Sequence, residues 1–583
     1  MTDDKLSIDN NKHDDDNNAS ATTHGVADAA PRATRRGFLT GMALLGASAA
    51  AGDALAAEAV KNAPGEPALA PDSLEFTRAL RRHVKNVVVI YAENRSFNNL
   101  FGDFPGVEQP LSSLTSSEFR QVDRDGTPLA TLPPVWGGMV PNAQVVNHAN
   151  YQVKQDAPYM NDQPNEPFPL RGPQGEYLPQ GVVTRDLWHL FYQNQMQING
   201  GKNDRFVAWA DAGALVMGYY ADNAYNLRLW KLAQEFVLCD RFFQGAFGGS
   251  FLNHQYLVAA RPPFYPDASR SPARTQIATL ESDDPADPRL KPIAGQSPTS
   301  AMQGPPVFGP SALTPDGYAV NTMMPPYWPT RGPRDPRNSA LADLANPNVM
   351  VPQDHAHIGD LLDAKGVAWA WYSGGWQAAI TALPDTPDFP AAPNFQYHHQ
   401  PLNYYRNLGP DFPEQRATRL RDGGLGDMPD TNRFLADVEA GRLPAVAIYK
   451  PQGNLNMHAG YADVEAGDRH IAHLIDSLRR GPQWNDMVVI ITVDENGGWW
   501  DHIAPPKGDR WGPGSRVPAL IVSPYAKQGV VDHTVYDTGS ILRFITRVFD
   551  LPLLEGLQLR DEAMQARGQK PMGDLTNALT FSA

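Results

Sequence analysis

The chain has 583 residues, with 49 Lys and Arg against 64 Asp and Glu, giving a formal charge of −15. So acidic a surface does not attract nucleic acid, whose affinity depends on counterion release by Lys and Arg, and it disfavours steering to anionic membranes. A lone cysteine, Cys239, excludes an internal disulfide framework, and in Phe236-Val237-Leu238-Cys239 it reads as a buried hydrophobe.

The N-terminus reads as an export signal. Residues 1–30 are polar and rich in Asp and Asn, with little to bury, and are expected to be disordered. Then come the twin arginines Arg35-Arg36, an apolar stretch from Met42 to Ala51, and a small-residue end at Ala54-Leu55-Ala56. That order predicts a Tat signal in residues 1–56 and delivery by the Tat translocon to the periplasm or beyond. Residues 1–56 contribute −3, leaving −12 on the remainder. The apolar stretch is shorter than the roughly 20 residues a membrane span needs, so no stable membrane insertion is expected. The remainder, 57–583, reads as one catalytic domain, since no linker or change of character divides it.

The first strand is Asn86-Val87-Val88-Val89-Ile90-Tyr91-Ala92, ending on Glu93-Asn94. His189 follows in Asp186-Leu187-Trp188-His189, ahead of Asn199-Gly200-Gly201-Lys202. Next is Gly248-Gly249-Ser250-Phe251-Leu252-Asn253-His254, with helix-compatible spacing through Ala260. A serine at a helix start lies near free N–H groups and the positive end of the dipole, a sensible position for a nucleophile attacking a phosphoryl group. Taken alone, it reads sooner as an ordinary capping serine, and the company of the other motifs is what favours the nucleophile. Residues 261–352 are proline-heavy and unperiodic, read as an ordered, irregular insertion covering the site.

Beyond the insertion, helix and strand alternate. A helix through Ile358–Leu362 precedes a strand at Val367–Tyr372. His398-His399 follow in a loop, then a strand at Ala445–Tyr449, then His458. A helix over Asp463–Arg480, apolar at Ile471, Leu474, Ile475 and Leu478, stops at Gly481-Pro482. It feeds the strand Met487–Val493, which ends on Asp494-Glu495 and leads to Trp499-Trp500-Asp501-His502. A strand at Ala519–Ser523 and a helix over Gly539–Phe549 close the chain's periodic part.

Continuous Val/Ile runs are strands buried on both faces, so the fold class is α/β, a central, mostly parallel sheet flanked by helices. Ligands in such sheets sit beyond the carboxyl ends of the strands. If the strands ending at Glu93-Asn94 and Asp494-Glu495 are neighbours, three carboxylates and an amide meet at one edge, in outline a site for a hard cation and a phosphate. No H-E-x-x-H, Cys-based zinc site or G-x-S-x-G elbow is present, which weakens zinc-protease and α/β-hydrolase readings.

Four ordered segments, Glu93-Asn94-Arg95-Ser96-Phe97, Asn199-Gly200-Gly201-Lys202, Gly248–His254 and Asp494–His502, carry a resemblance. Over about residues 80–550 the chain resembles the bacterial phosphoesterase family that joins acid phosphatases of the AcpA type to phosphatidylcholine-type phospholipases C, with an alkaline phosphatase and sulfatase-like fold. The resemblance implies that Glu93, Asn94, Ser250, Asp494 and Glu495 hold one divalent metal ion. It implies Ser250 as nucleophile and His189, His399 and His458 around the phosphoryl oxygens. Oxygen ligands suit Ca²⁺, Mg²⁺ or Mn²⁺, with Zn²⁺ also admitted. Family members often have Asp where this chain has Asn98.

A serine in the Gly-Gly-Ser-Phe-Leu-Asn-His segment resembles the acid phosphatase branch, whereas the phospholipase branch often has threonine. The chain also stops at Ala583, without the C-terminal β-domains common in haemolytic phospholipases. The expectation is therefore an exported acid phosphatase acting on small phosphate monoesters through a phosphoserine. The alternatives are a phospholipase C on phosphocholine lipids, or a non-catalytic lipid- or sugar-binding protein using its twelve tryptophans. A protonated histidine as proton donor, His399 or His189, predicts an optimum near or below about pH 6.5.

Overall fold

The eight strands of the central sheet are β1 (Asn86–Ala92), β2 (Val237–Cys239), β3 (Trp369–Gly374), β4 (Leu420–Gly424), β5 (Val446–Lys450), β6 (Met487–Val493), β7 (Ala519–Val522) and β8 (Val530–Asp532). The structure is a computed structural model that describes residues 68–141, 161–172, 174–284, 287–381 and 395–582. The export signal expected in residues 1–56 lies outside them.

The order across the sheet is β4-β3-β5-β1-β6-β7-β2-β8. Neighbours are parallel except at β7, which runs antiparallel to both β6 and β2. The sheet is therefore mostly parallel, with one reversed strand. Every residue of β1, β5 and β6 is buried, as continuous apolar runs require when both faces are covered. Fully burying each Val or Ile stabilises the fold by roughly 1.5–3 kcal/mol, so these strands form a stiff base.

The covering helices include α1 (Leu74–His83), α2 (Arg228–Glu235), α3 (Ser250–Ala259), α4 (Ile358–Ala364), α5 (Arg433–Glu439), α6 (Val464–Arg480) and α7 (Thr538–Phe549). Helix α7 packs on α1 and α3, while α6 packs on α2 and α5. Helix α6 begins where Asp463 accepts the Ala466 N–H at 2.7 Å, and it buries Ile471, Leu474, Ile475 and Leu478. Residues β3 and β5 begin one or two positions later than the sequence reading, and β5 ends on a lysine rather than a tyrosine.

The proline-heavy stretch is irregular but built. It holds two short antiparallel pairs, Leu280–Ser282 with Arg289–Leu290 and Arg334–Asp335 with Asn338–Ala342. Leu313, Ala319 and Val320 within it are fully buried. Asn321 Oδ1 accepts the N–H of Phe191 at 3.0 Å, and Met323 O accepts the Tyr404 hydroxyl at 2.7 Å. Cys239 is buried in β2, and burial pushes its thiol well above the ordinary value, as suits a hydrophobe and not a nucleophile. Among the described residues no helix is long and apolar enough to cross a membrane.

Candidate active site and metal centre

The register of β1 against β6 builds the site. Ala92 pairs with Val493, so Glu93-Asn94 and Asp494-Glu495 leave the sheet side by side. The Asp494 N–H donates to Ala92 O at 3.1 Å, and the Asn94 N–H donates to Asp494 Oδ1 at 3.1 Å. Asn94 turns the chain with φ 58°, a region Asn tolerates better than most residues. Opposite it, Gly497 has φ 61°, and a Cβ there would lie 2.4 Å from Asn94 O. Only glycine allows the two loops to close so tightly. Glu93, Asn94, Asp494 and Glu495 are each 0 % exposed. Three carboxylates buried together are costly unless cations or donors answer them.

Glu93 is answered from within the chain. Lys450 Nζ, at the end of β5 and itself fully buried, lies 2.7 Å from Glu93 Oε1. His399 Nε2 closes on the same oxygen. Tyr461 OH donates to Oε2 at 3.3 Å, and His458 Nε2 stands 3.6 Å from Oε2. Burial pushes the Glu93 carboxyl up, but Lys450, His399 and His458 outweigh it and hold it well below the usual range. Glu93 is therefore an ionised carboxylate with its countercharge in place.

Asp494 and Glu495 have no such partner. Burial pushes Asp494 up to about 6, with Lys450 offsetting part of the rise and Glu93 adding to it. Burial, then the charge of Asp494, pushes Glu495 well above its usual value. Asp494 Oδ2 has no hydrogen-bond partner, and neither does either side-chain atom of Asn94. Unpaired polar atoms in a buried site are uncommon and mark a missing ligand. A divalent cation supplies what is missing: Asn94, Asp494, Glu495 and Ser250 offer an oxygen-rich donor set suited to a hard ion. The five residues that the family resemblance implies as ligands therefore come together, and the donor set fits a metal.

Ser250 is the first residue of α3, preceded by Gly249 as N-cap. Its Oγ lies 3.5 Å from Glu495 Oε1. The two glycines before it serve close approach. A Cβ on Gly248 would lie 2.4 Å from the Phe191 nitrogen, and one on Gly249 would lie 2.7 Å from His189 O. One turn into the helix, His254 Nδ1 donates to Ser250 O at 2.7 Å and stands 3.6 Å from Asp494 Oδ2. Burial, then Lys450, pushes His254 well below its ordinary value, so it is a neutral donor.

His189 reaches the site from the other side. Its Nδ1 faces Leu187 O at 2.6 Å, so the proton sits on Nδ1 and Nε2 points at Glu495 Oε1, 3.9 Å away. The His189 side chain is 15 % exposed, against none for Glu495. It is thus the histidine at the mouth, edge-on to His458 at 5.8 Å between ring centres. His458 stacks on Tyr461 at 4.3 Å and donates Nδ1–H to Ala459 O. His399 lies deeper, fully buried, and burial lowers it to about 4 despite Glu93. All three predicted histidines converge, at different depths.

The loop after β6 supports the site from behind. Asn98 Oδ1 accepts from Arg516 Nη2 at 3.0 Å and from His502 Nδ1 at 2.9 Å. Arg516 also pairs with Asp501 at 3.0 Å. Asn98 therefore anchors a buried arginine and takes no part in the carboxylate cluster. Three residues escaped the sequence reading: Lys450, Tyr461 and His254. Lys450 obeys the same rule that exposed Glu93, a polar residue at the carboxyl end of a buried strand. Ending that strand at Tyr449 hid it. His254 lies four residues after Ser250, the spacing of one helical face.

The model of the Phosphoesterase family matches residues 84–552. Phospholipase C B of Mycobacterium tuberculosis is 23 % identical over 538 residues, covering 86 % of this chain and 78 % of that protein. The non-hemolytic phospholipase C of Pseudomonas aeruginosa is 26 % identical over 280 residues, covering 42 % of this chain and 37 % of that protein. Among solved structures, a protein of the alkaline phosphatase superfamily from Vibrio parahaemolyticus is 10 % identical. It covers 55 % of this chain and 59 % of its own, with a TM-score of 0.25. The fold assignment rests on the sheet itself.

Proposed function

The chain belongs to the Phosphoesterase family and is a hydrolase of phosphoric ester bonds, and we propose that it is an exported acid phosphatase that works on monoesters through Ser250. The observation that carries the reading is the meeting of Ser250 Oγ, Glu495 Oε1 and the unpartnered oxygens of Asn94 and Asp494 at one helix start. A bound divalent ion would supply Lewis-acid stabilisation of phosphoryl charge and would favour the Ser250 alkoxide. Asn94, Ser250, Asp494 and Glu495 are the residues to hold it, while Glu93, which the resemblance adds to them, is taken up by Lys450.

The chain's own residues do the rest. Ser250 Oγ gives its proton to Glu495 Oε1, 3.5 Å away, and attacks phosphorus in line; the Oγ–P bond forms and the bond to the leaving oxygen breaks. His189 enters this step as the imidazolium, its Nδ1–H held by Leu187 O, and gives the Nε2 proton to the leaving oxygen. His399 is assigned no proton transfer, because it is neutral and occupied with Glu93. In the second half His189 accepts a proton from water as water attacks phosphorus. The P–Oγ bond then breaks and Ser250 Oγ takes its proton back from Glu495. The free N–H groups at the start of α3 stabilise phosphoryl oxygens. The twin arginines and the apolar stretch of residues 1–56 support export by the Tat route.

The second reading is a phospholipase C acting on phosphocholine diesters, and the names of the relatives favour it. The test compares a nitrophenyl phosphate monoester with nitrophenyl phosphocholine, from about pH 4 to 9, for the wild type and Ser250→Ala. The expected result is monoester preference with an acidic optimum, reduced at least ~10⁴-fold by the substitution. Preference for the choline diester would move the chain to the phospholipase branch. Turnover that survives in Ser250→Ala would remove the covalent mechanism.

A further inference from the structure

Behind Ser250 lies a second set of metal-type ligands that the mechanism does not use. Ligand atoms of Glu93, His398 and His399 lie within 4.8 Å of one another, all buried. His398 is 6 % exposed and neither of its ring nitrogens has a hydrogen-bond partner. His254 stacks against His399 at 5.6 Å between ring centres and is edge-on to His398 at the same distance. Its Nε2 is also without a partner. Imidazole nitrogens around a carboxylate form a donor set of the zinc type, different in kind from the oxygen set at Asp494.

A cation already stands there. Lys450 Nζ is 2.7 Å from Glu93 Oε1, donates to Ala92 O at 3.3 Å, and lies 5.5 Å from the centre of the Tyr91 ring. It comes from the end of a central strand, paired with Ser373, and not from a loop that could swing away. We propose that Lys450 is a built-in substitute for a second metal ion, holding the Glu93 end of the site so that the protein takes a single divalent ion at the Asp494 end. This rests on the metal reading above. Glu93, Asp494 and Glu495 bring three negative charges, and Lys450 leaves two, the charge of one divalent ion. A second ion on Glu93 would meet the ammonium on the same carboxylate oxygen and be repelled. Lys450 is thus a positioning residue that sets metal number and fixes Glu93, without touching substrate.

The test is metal stoichiometry. Wild type, Lys450→Ala, Lys450→Arg and the double variant Lys450→Ala/His398→Ala are stripped with chelator, titrated with Zn²⁺ by calorimetry, and analysed for bound zinc. The wild type and Lys450→Arg are expected to take one equivalent. Lys450→Ala is expected to take a second, and the double variant to lose it again. If the wild type takes two, or a folded Lys450→Ala still takes one, the proposal is overturned. If the wild type takes none, the metal reading itself falls and this proposal with it. X-ray absorption at the zinc edge of the wild type needs no variant to fold. An oxygen-dominated shell supports the proposal, and a shell of two or more imidazoles overturns it.

Discussion

The ends of β1 and β6 are neighbours in the sheet and equally buried, one with a single carboxylate and the other with two, yet these carboxylates are in opposite electrostatic states. At the β1 end, Lys450, His399 and His458 hold Glu93 well below its usual pKa. At the β6 end, burial pushes Asp494 up to about 6 and raises Glu495 well above its usual value. Burial pushes all three upward, so the difference is one of partners alone. One lysine, on the strand next to β1 and two strands from β6, divides the site into a half whose carboxylate the chain answers and a half whose carboxylates no lysine or arginine among the described residues meets. Depth alone therefore does not identify a metal ligand; lack of a countercharge from the chain does.

Substitutions on the two sides should act with opposite sign on the metal-free protein. Asp494→Asn carries the largest expected effect, a loss of kcat/KM of roughly 10⁴-fold through lost metal and phosphoryl stabilisation. The same variant should melt at a higher temperature than the wild type in chelator, because it removes an unanswered charge while Oδ1 still accepts from Asn94 and Glu495. Glu93→Gln should do the reverse, losing ~3–5 kcal/mol of stability with or without metal, because it leaves Lys450 buried and unpaired. Denaturant unfolding measures both. A Glu93→Gln protein as stable as the wild type would erase the distinction between the halves.

The pH dependence of metal-free stability comes next in size. The Asp494 carboxyl binds its proton more tightly folded than unfolded, so its contribution is full below the unfolded value. It is lost as pH rises through about 6, a change on the order of 3 kcal/mol. Glu93 has the opposite sign and favours folding less as pH falls through its lowered range. Melting temperature in chelator should therefore fall between about pH 4 and 6, and saturating divalent metal should flatten that slope. An equal slope with metal bound would mean that the ion is held elsewhere. The smallest effect belongs to Asn98→Asp. Arg516 and His502 already donate to this side chain, so stability should move by no more than about 1 kcal/mol and kcat by less than about threefold.

Much of this was legible in the chain. The runs Val87–Ile90 and Val488–Val493 admit only buried strands, and the rule of carboxyl-end ligands then locates Glu93, Asn94, Asp494 and Glu495 before any coordinate. The glycine pair ahead of Ser250 marked a close approach, and the contacts to Phe191 and His189 show what is approached. Other features were not legible for physical reasons. Strand β2 has three residues and β8 three, too short for any periodicity. The reversal of β7 depends on how an irregular loop crosses between β6 and β7, and side-chain pattern does not record direction. Which of several histidines is deep and which lies at the mouth is a property of packing. His189 and His399 are indistinguishable in sequence and differ in the structure by exposure and partner.

The pairing of β1 with β6 also constrains when the site can exist. Val88 lies beside Val489, and Val87 beside Val446, so the central strand acquires its neighbours only from the last quarter of the chain. During synthesis, β1 leaves the ribosome long before either partner and cannot be sealed into the sheet until both are made. Contacts so distant in sequence slow folding and expose apolar strands meanwhile. The nucleophile and its carboxylates are therefore assembled in a single late event, and a truncated or half-made chain has no edge on which to capture an ion or cleave an ester.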